Sequence, residues 1–249
     1  MDTVTNIAPR IAIVIPMLDE APQLPRLMRC VTALDPPPDE IIAVDGGSGD
    51  DSVAVAQALG LRVITAPRGR SCQCNAGVAA TTAPIVMVLH ADTWLPADAM
   101  AVVADVMADP GTNLAGFTAI LAGPDKVRWA TSFHNWIKTW YAPLLFRPHL
   151  FLRGGRLLFG DHAMFFRRAA FDAAGGFDAD LAVMEEAELC VRMARLGRTR
   201  LVGRFVFTSD RRVAAWGEWR ANWIYLMVGV RWGLGIRPKT LGKLYPDVR

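Results

Sequence analysis

Along the first 110 residues, apolar positions fall into short runs, unbroken at 11–15 and 85–89, separated by stretches of helical spacing. Residues 11–15, 40–44, 61–66 and 85–89 are dominated by Ile, Val, Leu and Ala. Runs that are apolar at every position, not every second one, belong to strands buried on both faces, as in a parallel sheet. Between them, residues 22–33, 51–59, 71–82 and 96–109 read as helices. Leu24, Leu27, Met28 and Val31 mark the buried face of the first. Pro16 is expected to close the first strand, Pro36 to Pro38 end the first unit, and Gly60 caps the second helix. Strand and helix alternate four times, which predicts an α/β domain on a doubly wound, mostly parallel sheet.

The pattern loosens after residue 110. Residues 113–121 read as a strand and 126–145 as a long helix with Trp129, Phe133, Trp136, Ile137, Trp140, Tyr141 and Leu144 on one face. Gly154-Gly155 breaks the chain before an apolar segment, 162–166. A helix over 185–196 ends at Gly197, a strand follows over 199–208, and a last helix spans 216–232. No repeat, linker or low-complexity stretch divides the chain, so its 249 residues are expected to form one domain.

Composition narrows the class. A hydrophobic content of 52% excludes a disordered chain. The cysteines are Cys30, Cys72, Cys74 and Cys190, and Cys72-Gln-Cys74 lacks the C-x₂-C spacing of zinc or thioredoxin-type sites. They read as reduced thiols of an intracellular protein. Residues 1–10 are polar and the following apolar run is five residues long, so no signal peptide is expected. Charge is uneven: residues 1–120 carry 6 Lys and Arg against 13 Asp and Glu, residues 121–249 carry 21 against 11. Seven of the eight Trp lie in the basic half. That half points either to an anionic partner or to a solvated basic face beside an aromatic core.

Three predicted strands end in carboxylates: Asp19 and Glu20 after the first, Asp45 after the second, and Asp92, in His90-Ala91-Asp92, after the fourth. Open α/β sheets bind ligands at the carboxyl ends of their strands, which gathers these groups along one edge. Hard carboxylates there suit Mg²⁺ or Mn²⁺, and such a cation suits a diphosphate. Each acid alone could equally be a helix cap or turn former, and Asp50 and Asp51 read as caps. There is no G-x-G-x-x-G, Walker A or G-x-S-x-G motif, and His134, His149 and His162 have no metal-binding spacing.

Taken together, Ile13-Val-Ile-Pro16-Met-Leu-Asp-Glu20, Val44-Asp45-Gly-Gly-Ser48-Gly-Asp50, Arg68-Gly-Arg70, Asn75-Ala-Gly77, Leu89-His90-Ala91-Asp92, Gly160-Asp161 and Met184-Glu-Glu-Ala-Glu-Leu189 resemble the inverting family 2 glycosyltransferases of GT-A fold. The resemblance runs from about residue 10 to 210. It is nearest to short prokaryotic enzymes with R-G-R, L-H-A-D-T and E-D-x-E-L segments. It implies a nucleotide-binding half over 10–110, an acceptor and catalytic half over 111–210, and a helical extension over 211–249. Pro16, Glu20, Asp45, Gly47, Arg68, Arg70 and His90 would hold the nucleotide, with Asp45 on the base. Asp92 would bind the divalent cation, Mg²⁺ or Mn²⁺, on the donor diphosphate. Gly160 and Asp161 would border the acceptor, and Glu186, with Glu185 beside it, would take the proton from the acceptor hydroxyl.

The chain departs from the family pattern at two positions. His90 replaces the first acid of D-x-D and is expected on the ribose or phosphate, not on the metal. Glu186 stands where relatives carry Asp, one methylene shorter. Arg192 is expected to pair with Glu188 at i+4 spacing. Implied partners are a nucleotide-diphosphate sugar and an acceptor that is either lipid-linked or a small molecule, with no nucleic acid. Trp216, Trp219, Trp223 and Trp232, with Arg211, Arg212, Arg220, Arg231 and Arg237, could contact a membrane peripherally. The simpler reading of this end is a helix packed on the domain. The expected location is cytoplasmic, at the inner face of the membrane if the acceptor is a lipid. Two alternatives stand beside this reading. A sugar-nucleotide pyrophosphorylase would need a Gly- and Arg-rich loop where Pro16-Met-Leu-Asp-Glu20 stands. A non-catalytic nucleotide or headgroup binder would explain the two departures.

Overall fold

The computed structural model describes residues 9–181 and 183–236; Arg237 and the rest of the extension to 249 lie outside them. Strands β1 (Ile11–Met17), β2 (Glu40–Asp45), β3 (Arg62–Thr65) and β4 (Ile85–Val88) form the parallel half of an eight-stranded sheet ordered β3-β2-β1-β4-β7-β6-β8-β5. Every residue of β1 is buried, as expected of a central strand covered on both faces. β1 continues through Pro16 to Met17. The Val14 carbonyl accepts from Leu89 N at 2.9 Å, so Val14 faces β4, and Pro16 two residues on faces the same side. The last β4 pairing is Val14↔Val88, so no partner awaits the N–H that proline lacks.

The other half is mixed. β7 (Phe165–Arg167) runs antiparallel between β4 and β6 (Thr112–Ala122). β8 (Arg198–Ser209) lies parallel to β6, and β5 (Thr93–Trp94) is a two-residue strand antiparallel to β8 that no periodicity announced. Helices α1 (Leu24–Thr32), α2 (Ser52–Ala58), α3 (Arg70–Ala79) and α4 (Ala99–Ala108) follow the predicted order, and α1 buries Leu24, Leu27, Met28 and Val31. Beyond β6 come α5 (Trp129–Phe146), α6 (Pro148–Leu152), α7 (Arg168–Ala174) and α8 (Glu185–Met193). The terminal helix expected over 216–232 is α10 (Glu218–Gly233); a short helix that was not expected, α9 (Arg211–Trp216), precedes it, and Gly217, with a φ of 82°, separates the two.

The sheet separates two apolar layers. Ile13, Ile15, Met87, Phe117 and Phe165 lie in one; Val14, Val44, Val86, Phe166 and Leu189 in the other. α3 packs on β1 with no room for a side chain at Gly77, where a Cβ would fall 2.2 Å from Val14 Cγ1. That contact fixes the height of α3 and of Arg70 at its amino end.

Candidate active site

β1 pairs with β2 on one side and β4 on the other, so the loops after β1 and β4 leave in opposite directions and open a crevice at the carboxyl ends of the strands. A cavity of about 550 Å³ lies there. Pro16 comes from the end of β1 and Glu20 from the loop after it, His90 and Asp92 from the loop after β4, and Arg68 and Arg70 from the entry to α3. The β1 loop is latched to the β2 loop. Asp19 N donates to Ser48 Oγ at 3.0 Å, Gly49 N to Asp19 Oδ1 at 2.7 Å, and Glu20 N to Ser52 Oγ at 2.8 Å. Gln73 ties the two strand ends by donating to the carbonyls of Met17 and Val44 at 2.7 and 2.9 Å.

Glu185 and Glu186 open α8 on the opposite wall, after Met184 in the left-handed region at φ 66°. Both are buried, with side chains 3% and 9% exposed. Acids in a first helical turn gain from the helix dipole, but burial this deep costs more than the dipole returns. Arg70 Nη1 answers part of the charge, 3.1 Å from Glu185 Oε1 and 3.5 Å from Glu186 Oε1. Burial first, then the neighbouring Glu185 charge, pushes the Glu186 carboxyl up to about 7, against the pull of Arg70. Lys138 of α5 sits with Nζ 3.6 Å above the Phe159 ring, and burial brings its ammonium down to about 8. His90 is held neutral by burial and by Arg70, its pKa lowered to about 3. Gly160 keeps the space between these groups open: a Cβ there would fall 2.7 Å from Glu186 Oε1 and 2.8 Å from His90 Nε2.

Also lining the cavity, Arg211 of α9 joins two strand-end acids. Its Nη2 lies 2.9 Å from Asp92 Oδ2 and 3.1 Å from Glu20 Oε1. Asp92 is the one hard ligand of the expected pair, because position 90 is a histidine. Among the described residues no three His, Cys, Asp or Glu side chains form a metal-holding group. A divalent cation there would draw most of its shell from a diphosphate and water, with Asp92, now paired with Arg211, as the carboxylate in line with the expected motif.

The structure thus brings Pro16, Glu20, Arg68, Arg70, His90, Asp92, Gly160, Asp161, Glu185 and Glu186 to one cavity. It does not bring Asp45 and Gly47 to the cavity wall. The buried Asp45 carboxylate turns back on its own loop, accepting from Gly47 N at 2.9 Å and Ser48 Oγ at 2.6 Å, so its lone pairs are spent on the turn that the base was expected to meet. Arg70 is placed on the acid pair, away from a purely phosphate-binding role. Arg211 and Arg212 line the cavity and so are not part of an outward basic patch. Arg192 pairs with Glu188 at 2.5 Å, as the spacing predicted. His162 is buried beside Asn135 at 3.1 Å with Nδ1 unpartnered, so it is not a fully satisfied core histidine, whereas His134 bonds Asn222 and Tyr141 at 3.1 and 3.2 Å. Sequence reasoning missed Lys138, Asn135 and Arg211 as cavity residues. For the first two a signal existed: Thr131, His134, Asn135 and Lys138 are a polar i, i+3, i+4, i+7 stripe on the helix read only for its aromatic face.

The sequence model of Glycosyl transferase family 2 matches residues 12–175, and the chain belongs to that family. Two curated relatives are uncharacterised glycosyltransferases of Mycobacterium tuberculosis and Mycobacterium bovis, each 35% identical over 106 residues, 42% of this chain and 46% of theirs. The chain thus matches about half the length of these relatives. Among solved structures, a mannosyltransferase from Pyrobaculum calidifontis in complex with GDP-Man and Mn²⁺ superposes with a TM-score of 0.65 at 18% identity, over 90% of this chain and 63% of that one. Glucosyl-3-phosphoglycerate synthase from Mycobacterium tuberculosis, in complex with Mn²⁺, UDP and glucosyl-3-phosphoglycerate, superposes at 0.60 and 19%, over 92% and 81%. At such identities the likeness is one of fold, and that fold is GT-A.

Proposed function

We propose that this chain transfers a sugar from a nucleotide-diphosphate donor to an acceptor hydroxyl, with inversion at the anomeric carbon and a divalent cation assisting. The observation that carries the reading is Glu186: a buried carboxylate poised near 7, on the wall of a cavity whose far side is built from strand-end residues of a GT-A sheet. In this reading residues 10–110 supply the donor half and 111–210 the acceptor and catalytic half, and the described part of the extension, 211–236, closes the cavity. Glu20, Arg68 and His90 contact the nucleotide directly, while Asp45 and Gly47 act through the loop that they shape.

A hydroxyl is a weak nucleophile until a base removes its proton as the new bond forms. Glu186 is the better base of the pair, because Arg70 lies nearer Glu185, 3.1 against 3.5 Å, and burial raises Glu186 toward the working pH. Attack from the Glu186 side expels the nucleoside diphosphate toward Arg211 and Asp92, opposite the incoming oxygen, which is inversion. A cation anchored on Asp92 would supply charge to the departing diphosphate. Neutral His90 and the empty Gly160 position leave room at the reacting carbon without adding a second base. The family match and the acid pair favour transfer over the pyrophosphorylase and the non-catalytic readings. Complexes of structural relatives with GDP-Man, or with UDP and Mn²⁺, support the donor class.

Glu186→Gln tests the assignment. The amide keeps shape and loses basicity, so kcat should fall by about 10²–10⁴ while nucleotide affinity, read by calorimetry, stays within about twofold. A variant that turns over like the parent removes Glu186 from the mechanism.

A further inference from the structure

Helix α5 is inside out. Its buried positions are Thr131, Ser132, Asn135, Thr139, Ala142 and Pro143. Its exposed ones are Trp129, Phe133, Trp136, Trp140 and Leu144, at i, i+4, i+7, i+11 and i+15, with Trp129 67% and Phe133 59% accessible. A water-facing helix buries its apolar stripe and wets its polar one. Here the cavity claims the polar stripe and leaves the aromatic one outside. α10, packed beside α5 through Asn222 bonds to His134 and Thr131, repeats the pattern. Trp219, 92% accessible, and Trp223, 62%, begin the same spacing, which continues through the half-buried Leu226 and Val230 to exposed Leu234. Its inner face brings Tyr225, Val228 and Gly229 to the cavity.

The charge around these stripes is mainly positive, with Asp125 and Glu218 at their amino ends. From residue 126 to 160 there are six Lys and Arg and no Asp or Glu, and from 219 to 236 there are Arg220 and Arg231 and again no acid. Arg153, Arg220 and Arg231 are exposed. A second copy of this face would meet it cation to cation, which disfavours self-association. Trp, Phe and Leu ridges flanked mainly by cations complement a bilayer surface bearing anionic headgroups, with the rings at headgroup depth. Among the described residues no helix is long and apolar enough to cross a membrane, so such contact would lie along the surface.

We propose that the outer faces of α5 and α10 dock on an anionic lipid surface. The cavity then lies one helix thickness, about 10 Å, from the bilayer. The acceptor that reaches Glu186 between the inner faces of the same helices is an amphiphile with a hydroxyl-bearing headgroup. The acceptor clause rests on the transferase reading above; the docking does not.

Vesicle flotation of the full chain tests the docking separately from catalysis. The parent should float with phosphatidylglycerol-containing vesicles and not with phosphatidylcholine alone, with a blue shift of Trp emission. Phe133→Ser/Trp136→Ser and Trp219→Ser/Trp223→Ser, all at exposed positions, should each weaken binding at least about tenfold, since binding scales with the apolar area inserted. Unchanged nucleoside-diphosphate binding in these variants shows that they are folded. The proposal is overturned if the parent stays unbound to anionic vesicles at low salt, if both variants float like the parent, or if sedimentation shows a dimer that the same substitutions dissolve. If docking holds but amphiphilic acceptors are transferred no faster on vesicles than in detergent-free solution, the acceptor clause alone falls.

Discussion

Glu186 turns a structural cost into a pH response. As a base it must be ionised, so kcat/KM should rise about tenfold per pH unit below pH 7 and level off above it. Stability should move the other way. The carboxyl titrates near its ordinary 4.5 when unfolded and at about 7 when folded, so the folded chain holds a proton that the unfolded chain has lost between these values. The stabilising share of that proton is full below pH 4.5 and is lost as pH rises through 7. Glu186→Gln carries no charge at any pH, so its melting temperature should match the parent near pH 5 and exceed it at pH 8, by about 2–4 °C for each kcal/mol relieved. A melting difference independent of pH would mean that burial does not hold this carboxyl high. Which acids end strands was readable from residue order alone. That Arg70 meets Glu185 across 115 residues, and Arg211 meets Glu20 across 191, was not. No local pattern encodes a contact made by folding the extension back over the sheet.

At the scale of elements, the parallel half was legible because buried strands announce themselves as unbroken apolar runs and their helices by spacing. β5 was not, being two residues long and held only by Thr208 and Phe207 of β8. α5 shows a deeper limit. Periodicity finds the aromatic stripe but not what it faces, and here polar residues face inward because a cavity lies there. α9 was missed, being a six-residue helix before the predicted span, and Gly217 marks its end. The packing of α3 on β1 carries its own test. Gly77→Ala forces a methyl into Val14 and Val44 at 2.2 and 3.0 Å, and should cost about 1–3 kcal/mol in denaturant unfolding. Because α3 carries Arg70, the same change should lower turnover. A neutral effect on both would mean that α3 slides freely over the sheet.

For the whole molecule, both halves bring both signs to one cavity: the acidic half supplies Glu20, Arg68, Arg70 and Asp92, the basic half Lys138, Glu185, Glu186, Arg211 and Arg212, while the surplus of cations continues along α5 and α10. In the proposed reading a diphosphate would sit there, its charge shared between arginines and a cation that Asp92 would anchor. The most direct measurement is a thermal-shift panel of nucleoside diphosphates and their sugars, each with and without Mn²⁺. One nucleotide should stabilise the chain by about 2–3 kcal/mol at a hundredfold excess over its dissociation constant, and the effect should shrink when the metal is chelated. No shift with any nucleoside diphosphate or nucleotide sugar, in either condition, would contradict a donor site at these strand ends.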